Sequence, residues 1–259
     1  MAYYPSLNLE CRFDSYFIFY ALLAQLVEHS AFNRMVVGSS PTGGIMNINP
    51  KYTTMWDRSE LVSHLEANQY KRVLDIGGSR TQIEFGDKYI THILDLTKSE
   101  QTEQIEKVYF IGDCCYPDVW DSVLKDVNEN GKFDFVICTH TLEDLALPGM
   151  AVRMMPLVSK AGYIAVPSKY AECIFREGEY CGYCHHRWIY DIKENGKILG
   201  IPKCPVLSSC QAFAGLFNCT REVHLSREEL QFFWRDELQI DFVENIDSPI
   251  KDHYTNLVH

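Results

Sequence analysis

The stretch Val73-Leu74-Asp75-Ile76-Gly77-Gly78-Ser79 decides how the rest of the chain is read. An apolar run interrupted only by Asp75 ends at a pair of glycines, as a buried parallel strand ends in a tight turn. Twenty positions after Asp75, a second short run, Ile93-Leu94-Asp95-Leu96, carries Asp95. In a doubly wound sheet this spacing puts a glycine turn beside a nucleoside cofactor and an acid where a ribose diol can donate hydrogen bonds. No G-x-G-x-x-G follows the first strand, which disfavours an NAD-dependent oxidoreductase or epimerase.

Outward from this stretch, strand and helix patterns alternate. Residues 59–66 (SELVSHLE) have helical apolar spacing ahead of the first strand at 72–76. Further strands are expected at 92–96, 107–111, 133–138 (FDFVIC) and 162–166. Between them, helices are expected at 82–88, 97–106, 117–127 and 147–160, the third opening on Pro117 and the last kinked or shortened by Pro156. In the tail, Ser226-Arg227-Glu228-Glu229 has the form of a capping box before 230–234, and a last strand is expected at 239–243 (QIDFV). The fold class is therefore α/β: a doubly wound, mostly parallel Rossmann-like sheet with helices on both faces and an antiparallel C-terminal strand. Residues 167–225 fit no regular pattern and read as an insertion over the edge where ligands bind.

Residues 1–45 are set apart. The apolar segment 17–27 (FIFYALLAQLV) is too short to span a membrane and has neither a basic start nor a small-residue cleavage site. One choice of codons for residues 23–44 yields three pairing stems, GCTC with GAGC, TTCGG with CCGAA and GTGGG with CCCAC. The middle loop then reads CTTTTAA, as in a lysine tRNA. Residues 1–45 are therefore expected to be a spurious or disordered extension read through a tRNA gene. Met46 would be the start and 46–259 the single folded domain. Genomic nucleotides unable to form those stems would end this reading.

The 259 residues carry a net charge of −11, which opposes binding to nucleic acid, whose affinity rests on Lys and Arg at phosphates. Ten scattered cysteines without a secretion signal suit a reduced, cytoplasmic setting. A small-molecule substrate is expected, with no membrane association.

With these elements placed, residues 70–170 resemble the class I S-adenosylmethionine-dependent methyltransferases, near their small-molecule branch. The resemblance rests on Asp75-Ile76-Gly77, Asp95, Asp113-Cys114, the run 133–138 leading into Thr139-His140-Thr141-Leu142-Glu143-Asp144, and the strand 162–166. It implies S-adenosylmethionine as cofactor, bound by Asp75, Gly77 and Gly78 near its methionine part, by Asp95 at the ribose, and by Asp113 and Cys114 near the adenine, with His140 alongside. Two departures stand out. Ser79 and Thr81 replace expected glycines, and Asp144 replaces the histidine of a Leu-Glu-His triplet. They motivate the alternative of a catalytically silent cofactor-binding or scaffold protein.

Methyl transfer needs alignment, desolvation and in some cases a general base with a pKa near working pH. His140, at the carboxyl edge of the sheet, is a candidate base or a ligand of the loop backbone or cofactor. The cluster Tyr180-Cys181-Gly182-Tyr183-Cys184-His185-His186-Arg187-Trp188 adds His185 and His186 as catalytic candidates. It also adds Arg187 and Trp188, with Glu143, as substrate-binding ones. The alternative is a hairpin whose aromatics pack on the sheet. Cys181-x-x-Cys184-His185 has the c-type haem string, and with Cys204 or Cys210 could bind zinc. Haem attachment needs export, and no second ligand pair completes a zinc site, so no metal centre is expected.

Overall fold

Val73, Leu74, Asp75 and Ile76 are all fully buried, because the strand they form has neighbours on both sides and cover on both faces. The computed structural model describes residues 47–78, 88–98, 107–174, 181–203 and 226–243. The expectations for 1–45, for Ser79 and Thr81, for Cys204 and Cys210, and for nearly all of the helices at 82–88 and 97–106 lie outside the described residues.

In chain order the elements are β1 (Asn47–Thr53), α1 (Ser59–Asn68), β2 (Val73–Ile76), β3 (His92–Asp95), β4 (Val108–Ile111), α2 (Pro117–Asn130) and β5 (Phe135–Thr139). There follow α3 (Pro148–Val158), β6 (Ala161–Pro167), α4 (Lys169–Glu172), β7 (Trp188–Ile192), β8 (Ile198–Pro202), β9 (Glu229–Arg235) and β10 (Ile240–Phe242). Seven strands form the main sheet in the order β1-β9-β6-β5-β2-β3-β4. The five from β6 to β4 run parallel, and β9 is antiparallel to both β6 and β1.

Side chains alternate between two apolar layers, as strand geometry requires. Leu74, Ile76, Leu94, Val136 and Ile164 face one layer with Trp120 of α2 and Met155 of α3. Val73, Ile93, Phe135, Ile137 and Tyr163 face the other with Leu61 and Leu65 of α1. Each such aliphatic side chain contributes about 1.5–3 kcal/mol by leaving water, so the layers fix the register of the central strands. The doubly wound sheet read from the sequence is the one observed.

Three elements differ from expectation. The segment after the apparent capping box is strand β9, not a helix. Its Leu230, Phe232 and Trp234 enter one layer, while Phe233 enters the other and Glu229 and Gln231 are also buried. A period-2 pattern of large aromatics buried on both faces outweighs a local capping signal. Strand β1 was not anticipated because Pro50 and two asparagines interrupt it. At the sheet edge a missing N–H is tolerated, and the register shifts between Ile48 and Lys51 around Asn49 at φ +52°. The third is the 239–243 strand: its core, β10, lies not in the main sheet but beside β8, in a three-stranded sheet with the β7–β8 hairpin. As for Pro156, α3 accommodates it and ends two residues later, at Val158.

Candidate functional site

The strand order reverses between β2 and β5: from β2 the chain winds toward β3 and β4, and from β5 toward β6. Ligands of doubly wound sheets bind in the crevice at the carboxyl ends of such a pair. Gly77 leaves β2 at φ +77° and donates its N–H to the Leu94 carbonyl at 2.8 Å. A Cβ at Gly77 would lie 2.1 Å from Thr141 Oγ1, and one at Gly78 2.1 Å from Asp75 Oδ2. Thr141, just past β5, in turn donates to the Ile76 carbonyl at 3.1 Å. Both glycines are thus required by this protein's own side chains at the carboxyl ends of β2 and β5.

Asp95 ends β3 half-buried and accepts from the Thr97 N–H at 3.3 Å. Beside it Leu96 is 64% exposed, and beyond β4 Tyr116 is 48% exposed. These apolar side chains near an acid were not singled out in the sequence, although Leu96 adjoins Asp95 there. Asp113 accepts from the Cys115 N–H at 2.8 Å and so shapes the turn into α2. Cys114 and Cys115 are buried, and burial pushes both thiols up, that of Cys115 to about 11. They line the turn as inert thiols.

His140 occupies a left-handed backbone position at φ +48° that turns its ring back into the protein. The ring stacks on Trp56 at 4.1 Å between centroids. Its Nε2 lies 2.8 Å from Glu229 Oε2 and its Nδ1 3.4 Å from Glu143 Oε1. Glu229, fully buried on β9, also pairs with Arg58 and accepts from the Trp56 N–H and from Gln231. Burial would lower the His140 pKa, but hydrogen bonds and charge from Glu143 and Glu229 raise it to about 9. Burial likewise opposes ionisation of Glu229, yet His140 and Arg58 hold it below the usual carboxylate range. Burial pushes Glu143 up, and the His140 ring 3.4 Å away opposes that shift. At neutral pH His140 is therefore an imidazolium held between Glu229 and Glu143, a poor proton acceptor.

This arrangement has a pH signature. The folded pKa of His140 lies above its ordinary 6.5, so its stabilisation is complete below about pH 6.5 and lost as pH rises through about 9. A decline of about 3 kcal/mol is expected over that window. Urea midpoints measured across it should fall in the parent and stay flatter in His140→Gln. Parallel curves would show that His140 does not carry the effect.

The hairpin β7–β8 is bonded to the loop that follows β5. The N–H groups of Arg187 and Trp188 donate to the Glu143 carbonyl at 2.6 and 3.2 Å, and the Trp188 ring N–H donates to the Leu145 carbonyl at 2.9 Å. Trp188 is buried against Phe242, so it packs rather than offering a face to substrate. The Arg187 side chain is exposed. His186 is buried and bonded to Glu172, which Lys203 also holds. His185 is exposed, and with His186 it comes beside Asp144. Sequence reading had named both histidines but not Glu172, Lys203 or Arg58, and had read Glu229 only as part of a capping box; their partners lie far along the chain.

No family model matches the chain, and no curated protein matches it. Among solved structures it is similar to the N-terminal domain of EvdMO1 with SAH bound, at 12% identity and TM-score 0.38, over 70% of this chain and 82% of that one. It is also similar to the methyltransferase domain of bacterial CtHen1-C, at 10% identity and TM-score 0.41, over 68% and 95%. A third is MycE methyltransferase from the mycinamycin biosynthetic pathway in complex with Mg and SAH, at 17% identity and TM-score 0.34, over 57% and 40%. The fold assignment rests on the chain's own strand order rather than on these distant likenesses. By that order, with the turn at Gly77 and the acids at the next two strand ends, the chain has a doubly wound, Rossmann-like fold.

Proposed function

We propose that the chain is an S-adenosylmethionine-dependent methyltransferase acting on a small-molecule acceptor in a reduced, cytoplasmic setting. The observation that carries this reading is the crevice at the β2/β5 reversal, floored by the Gly77–Thr141 contact and followed along the sheet by Asp95 and Asp113. Its donor set fits a purine nucleoside. Asp95 can accept from a ribose diol, and the exposed Leu96 beside it offers an apolar surface to a flat base. The net charge of −11 favours a small acceptor over a nucleic acid, and the described cysteines are all free thiols.

When bound, S-adenosylmethionine supplies an electrophilic methyl carbon, whose bond to sulfur breaks as the acceptor's lone pair attacks. The chain's task is to align the two and exclude water. His140 does not take the acceptor's proton at neutral pH. Instead it locks the loop after β5 to β9 and to the Trp56–Arg58 turn. The acceptor side of the crevice falls to Asp144, His185 and His186, with Arg187 at the rim.

Calorimetric titration with S-adenosylmethionine and S-adenosylhomocysteine, with NAD as control, tests the reading. Asp95→Ala removes hydrogen bonds to a charged acceptor worth about 1.5–3 kcal/mol each, so affinity should fall by about a hundredfold. A folded chain that takes up neither sulfur nucleoside would leave the scaffold alternative in its place.

A further inference from the structure

We propose that Asp144, His185 and His186 form a binding site for one divalent transition-metal ion. One ligand atom from each lies within 4.8 Å of the other two. Two imidazoles and a carboxylate are a donor set that holds zinc, iron(II) or cobalt(II), and imidazole selects these over magnesium and calcium.

The strongest support lies behind the site. His186 Nδ1 is 2.6 Å from Glu172 Oε1, and Glu172 Oε2 accepts from Lys203 Nζ at 2.6 Å. Lys203 Nζ is fixed in turn by the carbonyls of Cys181 and Tyr183, at 3.1 and 2.7 Å. With Lys203 donating to its other oxygen, Glu172 Oε1 faces Nδ1 as an acceptor, so Nδ1 carries the proton and Nε2 presents its lone pair outward. A buried carboxylate behind a histidine is how metal sites fix the tautomer and ring direction of a ligand.

That lone pair faces Asp144 Oδ1 at 3.9 Å. The gap is too long for a hydrogen bond. It is within reach of an ion about 2.1 Å from each donor, since two such bonds span up to about 4.2 Å. His185 is exposed and can turn its ring to complete the set. The Tyr183 ring packs on both imidazoles, 6.0 Å from His185 and 4.6 Å from His186, and the two are held edge to face. With two of three ligands at the surface, coordination positions stay open for water or substrate, as in catalytic rather than structural sites. Asp144 donates its N–H to the Thr141 carbonyl at 3.0 Å, and Thr141 packs on Gly77. The ion would therefore sit on the acceptor side of the crevice, where it could bind a substrate oxygen. That use rests on the transferase reading, whereas the site itself does not.

The full chain, freed of metal, is titrated with cobalt(II) and followed by visible absorption without any nucleoside, so this test cannot fail through a failure of cofactor binding. One cobalt(II) per chain is expected, with no sulfur-to-metal charge-transfer band. His185→Ala and Asp144→Asn should each weaken uptake at least about tenfold, and Glu172→Gln by about 10–100-fold. His185 is exposed, so its variant keeps the fold and the comparison remains sound. Three results would overturn the site: no uptake by the folded parent, uptake unchanged in the His185 and Asp144 variants, or a thiolate band placing the ion on cysteine.

Discussion

Replacing Glu229 by Leu is expected to lower folding stability by about 3–5 kcal/mol, the usual cost of removing one partner from a buried ion pair. Glu229 is fully buried and faces two cations, Arg58 and the His140 imidazolium. It also accepts from the Trp56 N–H and from Gln231. Leucine would leave both charges and both donors without that acceptor in a place water does not reach. The change should appear as a lower urea midpoint with a similar slope. The double variant Arg58→Met/Glu229→Leu should recover much of the loss, because it removes a cation together with its anion. A single-variant loss below about 1 kcal/mol, the range of exposed pairs, would mean that the cluster is hydrated and its charges screened.

Gly77→Ala is expected to be nearly as costly and to act on binding as well. The added methyl would sit 2.1 Å from Thr141 Oγ1, in a backbone conformation at φ +77° that L side chains rarely adopt. Left-handed strain of about 1–3 kcal/mol adds to overpacking of about 1–3 kcal/mol. Thr141 would yield at the expense of its hydroxyl bonds to the Ile76 and Thr139 carbonyls, the first of which joins the ends of β2 and β5. Stability should therefore fall by about 2–6 kcal/mol, and S-adenosylmethionine binding should weaken in whatever protein remains folded. Thr141→Ala in the Gly77→Ala background opens the space again. If it restores neither property, the steric account is wrong.

Glu229 and Gly77 also mark the boundary of what could be read in advance. The turn at Gly77 was legible because strand, glycine pair and acid are contiguous and their meaning is local. Glu229 was misread as part of a helix cap, since Ser226 and Glu229 have the right spacing for one. Nothing within four residues reveals that Arg58 and His140 wait for it across the sheet. His140 was correctly placed at the end of the fourth predicted strand. Its protonation depends on two glutamates, and only Glu143, three residues on, shares its loop.

The sequence by itself determined the parallel alternation of strands and helices, the end of β2 at a glycine turn and the acids at the ends of the next two strands. These follow from periodicity and from backbone limits that act within a few residues. Only the tertiary structure decided that β9 enters the sheet as an antiparallel strand and that β1 pairs beside it. It also decided that His140 is held as a cation, and that His186 is aimed at Asp144 by Glu172 and Lys203. Those outcomes depend on burial, which removes water as a competing partner and makes charges distant in sequence the strongest neighbours a side chain has.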